Sequence, residues 1–277
     1  MTSRSLPRPR KRFGQHFLEP AWVDKLIRAI APADDETFIE IGPGRGAITN
    51  ALAARSRRVV AFEIDRDLAS ALKESAPANL TVVEGDFLEV TPASVTALFT
   101  PLELRGPIRV AGNLPYNVGA PILFKLLELF GAGLPLSDAH LMLQREVADR
   151  LTAKPGTGDY GVLTVLVGHR AGVDRVLSLP PGAFRPAPKV HSAVVRLQFH
   201  APDPAVKDTR VLSALVRSVF TKRRKTSENA LPRSSRGALK AAGIDGRRRP
   251  ETLTIAEFAR LADAVGVSGS DPGLTRV

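Results

Sequence analysis

The chain has 277 residues and a formal net charge of +11, with 44% hydrophobic and 24% charged residues. That length and balance give a globular protein with a substantial core, divided into one larger and one smaller domain. No apolar run approaches the ~18 residues of a membrane span. The absence of cysteine excludes disulfides and thiolate metal sites.

The positive charge is concentrated in two segments. Residues 1–12 hold five Arg/Lys and no acid, and residues 207–249 hold thirteen Arg/Lys against three acids. Two basic segments on an otherwise slightly acidic chain form the footprint of a nucleic-acid partner. The first reads equally as a solvated, flexible arm. It has no apolar stretch behind it and is not a secretory signal, so a cytoplasmic location is expected.

In chain order, Lys11-Arg12-Phe13-Gly14-Gln15-His16-Phe17-Leu18 is basic and then aromatic. Trp22, Val23, Leu26, Ile27 and Ile30 follow at helical spacing, predicting a helix over 21–31 that ends at Pro32. Phe38-Ile39-Glu40-Ile41 reads as a buried strand entering Gly42-Pro43-Gly44-Arg45-Gly46, and a helix follows from Ala47. Strand, glycine turn and helix make the arrangement in which a nucleoside cofactor approaches the backbone. The spacing is not that of a pyrophosphate cradle, and Pro43 removes an N–H that a phosphate would use. A tight strand-to-helix turn needs glycine in any case.

Val59–Asp65 is the next strand, and Glu63 at its end is placed to take the two ribose hydroxyls of an adenosine-type cofactor. Leu80–Asp86 ends in a second acid, with Asp86 and Phe87 positioned to hold an adenine amine beside an apolar wall. A fourth strand, Ile108–Ala111, delivers Asn113-Leu114-Pro115-Tyr116 to the same edge. Leu114 precedes proline and is held extended. The Asn113 side-chain oxygen and the Leu114 carbonyl can each accept an N–H from an exocyclic adenine amine, and Tyr116 can stack on its ring. In isolation the four residues read as a strand-end turn. Four strand ends converging on one crevice favour the functional reading. The glycines, the two acids and the acceptor set point to S-adenosylmethionine rather than NAD, and no Walker A sequence is present.

The remaining strands are expected at 139–144, 161–168 and 192–199, the last two forming an antiparallel edge hairpin. Between them, Phe184 lies in a proline-stiffened loop with Arg185 and Lys189. That loop reads as a platform for an unstacked base and its phosphates, or as a rigid connector with Phe184 packed inward. Pro202 and Pro204 mark a boundary. Beyond it Val211, Leu212, Leu215, Val216 and Val219 share a helix face, followed by Lys222, Arg223, Arg224 and Lys225. The expected domains are a basic arm (1–12), an α/β methyltransferase domain (13–204) and a helical, basic RNA-binding domain (205–277), to which the resemblance given next adds ribosome binding.

These residues in this order resemble the ribosomal RNA adenine N6-dimethyltransferase family, and within it the bacterial small-subunit (16S) branch. The resemblance runs from about Lys11 to about Leu253. It is carried by residues 11–18, 40–44, 63–65, Asp86, 112–117, 143–147, 184–190 and 220–226. It implies a Rossmann-like class I methyltransferase fold with a mostly parallel seven-stranded sheet and an antiparallel edge hairpin. It further implies that His16, Leu18, Gly42, Glu63, Asp86 and Asn113 line the S-adenosylmethionine site. Position 16 is often asparagine in the family. The implied reaction dimethylates two adjacent adenosines in the 3′-terminal hairpin of 16S rRNA, on an assembling 30S particle. In that reaction Asn113, Leu114 and Tyr116 are catalytic, with Tyr116 and Phe184 on the two faces of the base. Lys11, Arg12, Arg185, Lys189 and Lys222–Lys225 are expected to contact RNA. The sulfonium is already activated, so no metal is expected, and the enzyme is expected to be a monomer. The alternatives are a macrolide-resistance type 23S rRNA methyltransferase, a DNA adenine or protein glutamine methyltransferase, and a non-catalytic 30S assembly factor.

Overall fold

The computed structural model describes residues 15–267. It forms two compact units, one built from the chain up to Ala148 plus Val173–Phe199 and the other from Asp149–Gly172 plus the chain from His200 onward.

The first unit opens with β1 (Phe17–Leu18) and α1 (Pro20–Ile30), whose Val23, Leu26, Ile27 and Ile30 are buried at helical spacing. Then β2 (Thr37–Ile41), α2 (Ala47–Ala53), β3 (Arg58–Glu63), α3 (Arg66–Glu74), β4 (Leu80–Glu84) and α4 (Pro92–Thr96) alternate. Next come β5 (Ile108–Asn113), α5 (Gly119–Gly131) and β6 (Leu136–Gln144), and then α6 (Arg145–Leu151), which runs into the second unit. β7 (Ala171–Leu179), β8 (Phe184–Arg185) and β9 (Ser192–Phe199) complete the strands.

The main sheet has the order β4-β3-β2-β5-β6-β9-β7. β2, β3, β4, β5 and β6 are mutually parallel, and β9 runs antiparallel to β6. The chain leaves β2 outward through β3 and β4, then returns to place β5 on the other side of β2. That reversal is the switch point at which doubly wound sheets bind ligands. β2 is buried at every position, as a strand covered on both faces must be. At the opposite end of β5, buried Arg109 donates from Nε to Asp138 (2.8 Å), from Nη1 to Glu36 (2.8 Å) and from Nη2 to the Ile30 carbonyl (2.8 Å). The network ties β5, β6 and the end of α1 together at the edge away from the ligand crevice.

The second unit holds α7 (Val162–Gly168), α8 (Thr209–Thr221), α9 (Ser227–Ala230), α10 (Gly237–Ala241) and α11 (Ile255–Val267). α8 buries Leu212, Leu215, Val216 and Val219 as its spacing predicts. Tyr160 is buried and donates to the Leu253 carbonyl (2.8 Å), while Phe220 and Phe258 lie 5.8 Å apart between ring centroids.

Two expectations are corrected. Residues 161–168 form helix α7 and not a strand, and the antiparallel edge is made by β7 and β9. Thr164, Val165, Leu166 and Val167 are all buried, so the helix is apolar all round and shows no amphipathic period. The compact units also do not divide at residue 204. Residues 149–172 group with the C-terminal helices, because α7 packs against α8 and Gly168 lies under Ile255 of α11.

Candidate cofactor and base-binding site

A cavity of about 370 Å³ opens at the carboxyl edge of the parallel strands. His16 just before β1 and Leu18 within it, the glycine turn after β2, Glu63 at the end of β3, Asp86 and Phe87 after β4, and Asn113–Tyr116 at the end of β5 all line it. The strand ends are brought level by register: Ile41 pairs with Phe62 on one side and with Gly112 on the other.

The turn is built by left-handed glycines. Gly44 has φ +59°, and a Cβ there would lie 3.0 Å from the Phe17 ring. Its N–H donates to Glu63 Oε2 (2.9 Å), while Asp65 N–H donates to Glu63 Oε1 (2.8 Å). Burial raises the Glu63 pKa, these two N–H groups oppose that, and the nearby Asp65 charge adds to it. Asp86 Oδ1 accepts from Leu88 N–H (2.9 Å), fixing the carboxylate at the rim. These groups fit the adenosine portion of S-adenosylmethionine. Glu63 faces the glycine turn where a ribose would approach, and the Phe87 wall stands beside Asp86 for the base.

The acceptor set is oriented by its neighbours. Asn113 Nδ2 donates to the His16 carbonyl (2.7 Å), which turns Oδ1 outward as an acceptor. Leu114 N–H donates to Met142 O (3.2 Å). Among the described residues no hydrogen bond is made to the Leu114 carbonyl, so it too is available to a ligand. Tyr116 Oη is hydrogen-bonded to Ser192 Oγ (2.7 Å), and burial raises the phenol pKa against that hydrogen bond. The His16 ring stacks on Tyr116 at 5.6 Å and 23°, and its Nδ1 donates to the Pro186 carbonyl (2.7 Å). His16 thus keeps a side-chain hydrogen bond at a position where the family often has asparagine.

Phe184 requires a correction. It is 2% exposed, belongs to the apolar core with Leu18, and pairs with Leu18 through β1 and β8. Its ring packs in the apolar core with Leu18 and is not among the residues that line the cavity.

The expected RNA contacts are spread out. Lys11 and Arg12 lie outside the described residues. Arg185 is exposed and bonds Glu19 (2.7 Å), and Lys189 lines a second cavity with Gln144 and His191. Lys222, Arg224 and Lys225 are exposed after α8, whereas Arg223 donates to the Thr157 carbonyl (3.0 Å).

Sequence reasoning missed Ser192, Gln15 and Glu40. Ser192 positions the Tyr116 hydroxyl from another strand, and nothing local in the sequence signals that. Gln15 donates to Asp65 (3.2 Å) beside the glycine turn. Glu40 sits 1% exposed beneath that turn. Burial pushes its carboxyl pKa up to about 8, the Thr49 hydroxyl lowers it and the charge of Glu63 raises it again. Thr49 stands near without bonding: among the described residues neither Glu40 oxygen nor Thr49 Oγ1 has a hydrogen-bond partner.

A switch-point crevice with a glycine turn, two strand-end acids and an amine-accepting Asn-Leu-Pro-Tyr defines a class I S-adenosylmethionine-dependent methyltransferase. The chain matches the family described as ribosomal RNA adenine dimethylase over residues 7–265, and it belongs to that family. It is accordingly an S-adenosylmethionine-dependent rRNA methyltransferase. The ribosomal RNA small subunit methyltransferase A of Pseudomonas fluorescens is 43% identical over 269 residues, covering 95% of this chain and 96% of the relative. The protein of the same name from Paracidovorax citrulli is 44% identical over 258 residues, covering 92% and 98%. Among solved structures, a dimethyladenosine transferase from Plasmodium falciparum shares the fold with a TM-score of 0.70, at 24% identity over 89% of this chain and 96% of that one. The 23S rRNA methyltransferase ErmE has a TM-score of 0.63, at 27% identity over 90% and 99%.

Proposed function

We propose that this chain transfers methyl groups to N6 of two adjacent adenosines in the 3′-terminal hairpin of 16S rRNA, dimethylating each on an assembling 30S particle. It does so as a monomer in the cytoplasm. Two relatives above 40% identity carry the small-subunit name over nearly their whole length, which supports this reading over the 23S alternative. The observation that carries the chemistry is the Asn113 amide, whose Nδ2 is spent on the His16 carbonyl so that Oδ1 faces outward as an acceptor.

S-adenosylmethionine, when bound, supplies a methyl group already activated by its sulfonium. Glu63 holds the ribose and Asp86 the adenine amine of that cofactor, with Gly42 and the glycine turn allowing close approach. Asn113 Oδ1 and the Leu114 carbonyl accept the two N6–H groups of the target adenosine. That aims the N6 lone pair and stabilises the positive charge that develops on it. Tyr116 stacks on the flipped base through the ring face that His16 leaves open. Positioning is the main source of rate. Lys11, Arg12, Arg185, Lys189, Lys222, Arg224 and Lys225 contact the RNA backbone, while Arg223 braces that segment through the Thr157 carbonyl.

Incubation with labelled S-adenosylmethionine and unmethylated small subunits, followed by mapping of the modified bases, tests the assignment. Two adjacent dimethylated adenosines near the 3′ end are expected, and labelling of 23S rRNA instead would overturn it. Asn113→Ala should lower turnover by about 10²–10³-fold while the cofactor still binds. Full activity in that variant would remove Asn113 from the mechanism.

A further inference from the structure

One residue on the cavity wall touches both halves of the base grip. His16 offers its backbone carbonyl to Asn113 Nδ2 (2.7 Å) and its ring to Tyr116, with 5.6 Å between centroids and 23° between planes. All three residues line the same cavity. The imidazole is fixed in turn through Nδ1, which donates to the Pro186 carbonyl (2.7 Å) in the loop after β8. Nδ1 lies off the axis about which that ring turns, so this bond stops the imidazole from rotating.

Tyr116 is tethered at its tip by Ser192 Oγ (2.7 Å), and that tether leaves one freedom. A phenol oxygen lies on the axis about which the ring turns. A hydrogen bond to it fixes where the tip sits but not the tilt of the ring plane, which is a soft torsion in tyrosine. A face contact sets the tilt, and the near-parallel His16 ring provides it. Tilt matters because the two N–H groups of an adenine amine lie in the plane of the base. A base stacked on the open face of Tyr116 takes the plane of that ring. It then meets Asn113 Oδ1 and the Leu114 carbonyl squarely only if that plane is correct. We propose that the His16 side chain is a positioning residue for the methyl-accepting base. Its ring sets the plane of Tyr116 while its carbonyl sets the direction of Asn113, so the stack and the acceptor are referenced to one residue. The inference rests on the rRNA adenine reading and deepens it, giving this side chain to the base where the resemblance gave the position to the cofactor.

The test uses the full chain, unmethylated small subunits and labelled S-adenosylmethionine, with His16→Asn and His16→Phe. His16→Asn keeps a side-chain N–H, at a position where the family often has asparagine, and loses the ring. His16→Phe keeps a ring and loses the N–H. A tilted base is bound but poorly attacked, so His16→Asn should lower kcat about tenfold. Its KM for the particle and its affinity for S-adenosylmethionine should each stay within about twofold of wild type. The kcat of His16→Phe should lie between those of His16→Asn and wild type. An unchanged kcat in His16→Asn overturns the inference, as does a His16→Phe kcat at or below that of His16→Asn. A tenfold loss of S-adenosylmethionine affinity in either variant also overturns it, because the side chain then serves the cofactor. Thermal unfolding identifies a variant that fails to fold; if His16→Phe does, the kcat and cofactor affinity of His16→Asn decide. Wild type is the control for the parent reading: if it methylates no adjacent adenosines, that reading fails. If wild type does so and His16→Asn matches it, only the role of His16 fails.

Discussion

Glu40 is a carboxyl group buried near the glycine turn, at which burial dominates the titration. It lies under the glycine turn with both carboxylate oxygens unbonded among the described residues, and burial holds its pKa up at about 8 against an ordinary 4.5. A carboxyl group whose folded-state pKa is raised contributes fully below the unfolded value and loses that contribution as pH rises through the folded one. Stability should therefore fall between about pH 4.5 and pH 8, at about 1.4 kcal/mol per pH unit, by a total on the order of 5 kcal/mol. Glu40→Gln, which cannot ionise, should flatten that decline in denaturant unfolding measured from pH 5 to 8; an unchanged slope would show that Glu40 is already charged at neutral pH. None of this was legible in the sequence, where Glu40 reads as part of a strand and of the 40–44 stretch that carries the resemblance, with no role of its own. The same holds for Asn113. Its chemistry was legible from the Asn-Leu-Pro-Tyr order, but the direction of its amide depends on a carbonyl at position 16, distant in the chain. Phe184 was misplaced for a related reason: an aromatic in a proline-rich loop carries no local sign of which way it faces.

At the scale of elements, strands that deliver site residues were readable because each is a short apolar run closed by glycine or an acid. The α7 and β7 regions were not. A helix buried on all sides has no period, and β7 is a half-exposed edge strand carrying Asp174 and Arg175. The glycine turn shows how tightly an element can be specified. Gly44 combines φ +59°, a Phe17 ring 3.0 Å from a would-be Cβ, and an N–H bonded to Glu63. Gly44→Ala should pay about 1–2 kcal/mol of backbone strain and also push the turn away from Glu63. Its affinity for S-adenosylmethionine should fall roughly tenfold, about 1.4 kcal/mol. Gly133 has φ +95° with nothing within 4 Å of a would-be Cβ, so Gly133→Ala should lower the melting temperature and leave cofactor affinity intact. Calorimetric titration of both variants separates turn geometry from general strain. Equal affinities would show that the Gly44 contact with Glu63 does not shape the site.

For the whole molecule, the informative quantity is where the charge of +11 sits. The basic run after α8 is not uniform. Arg224 and Lys225 are exposed, while Arg223 is bonded to the Thr157 carbonyl and lies 3.8 Å from Glu251. Cations that reach RNA phosphates release counterions, so each contact contributes about 0.7–0.9 to the slope of log affinity against log salt. Arg224→Ala and Lys225→Ala should each reduce that slope by nearly one for binding to small subunits, with little change in unfolding. Arg223→Ala should do the reverse, lowering stability through its lost carbonyl partner and leaving the slope almost unchanged. Filter binding between 50 and 200 mM salt, paired with thermal unfolding, reads both quantities. A slope that moved for Arg223 and not for its two neighbours would mean that the carbonyl contact is surrendered on binding, and that the charges working on RNA are not the exposed ones.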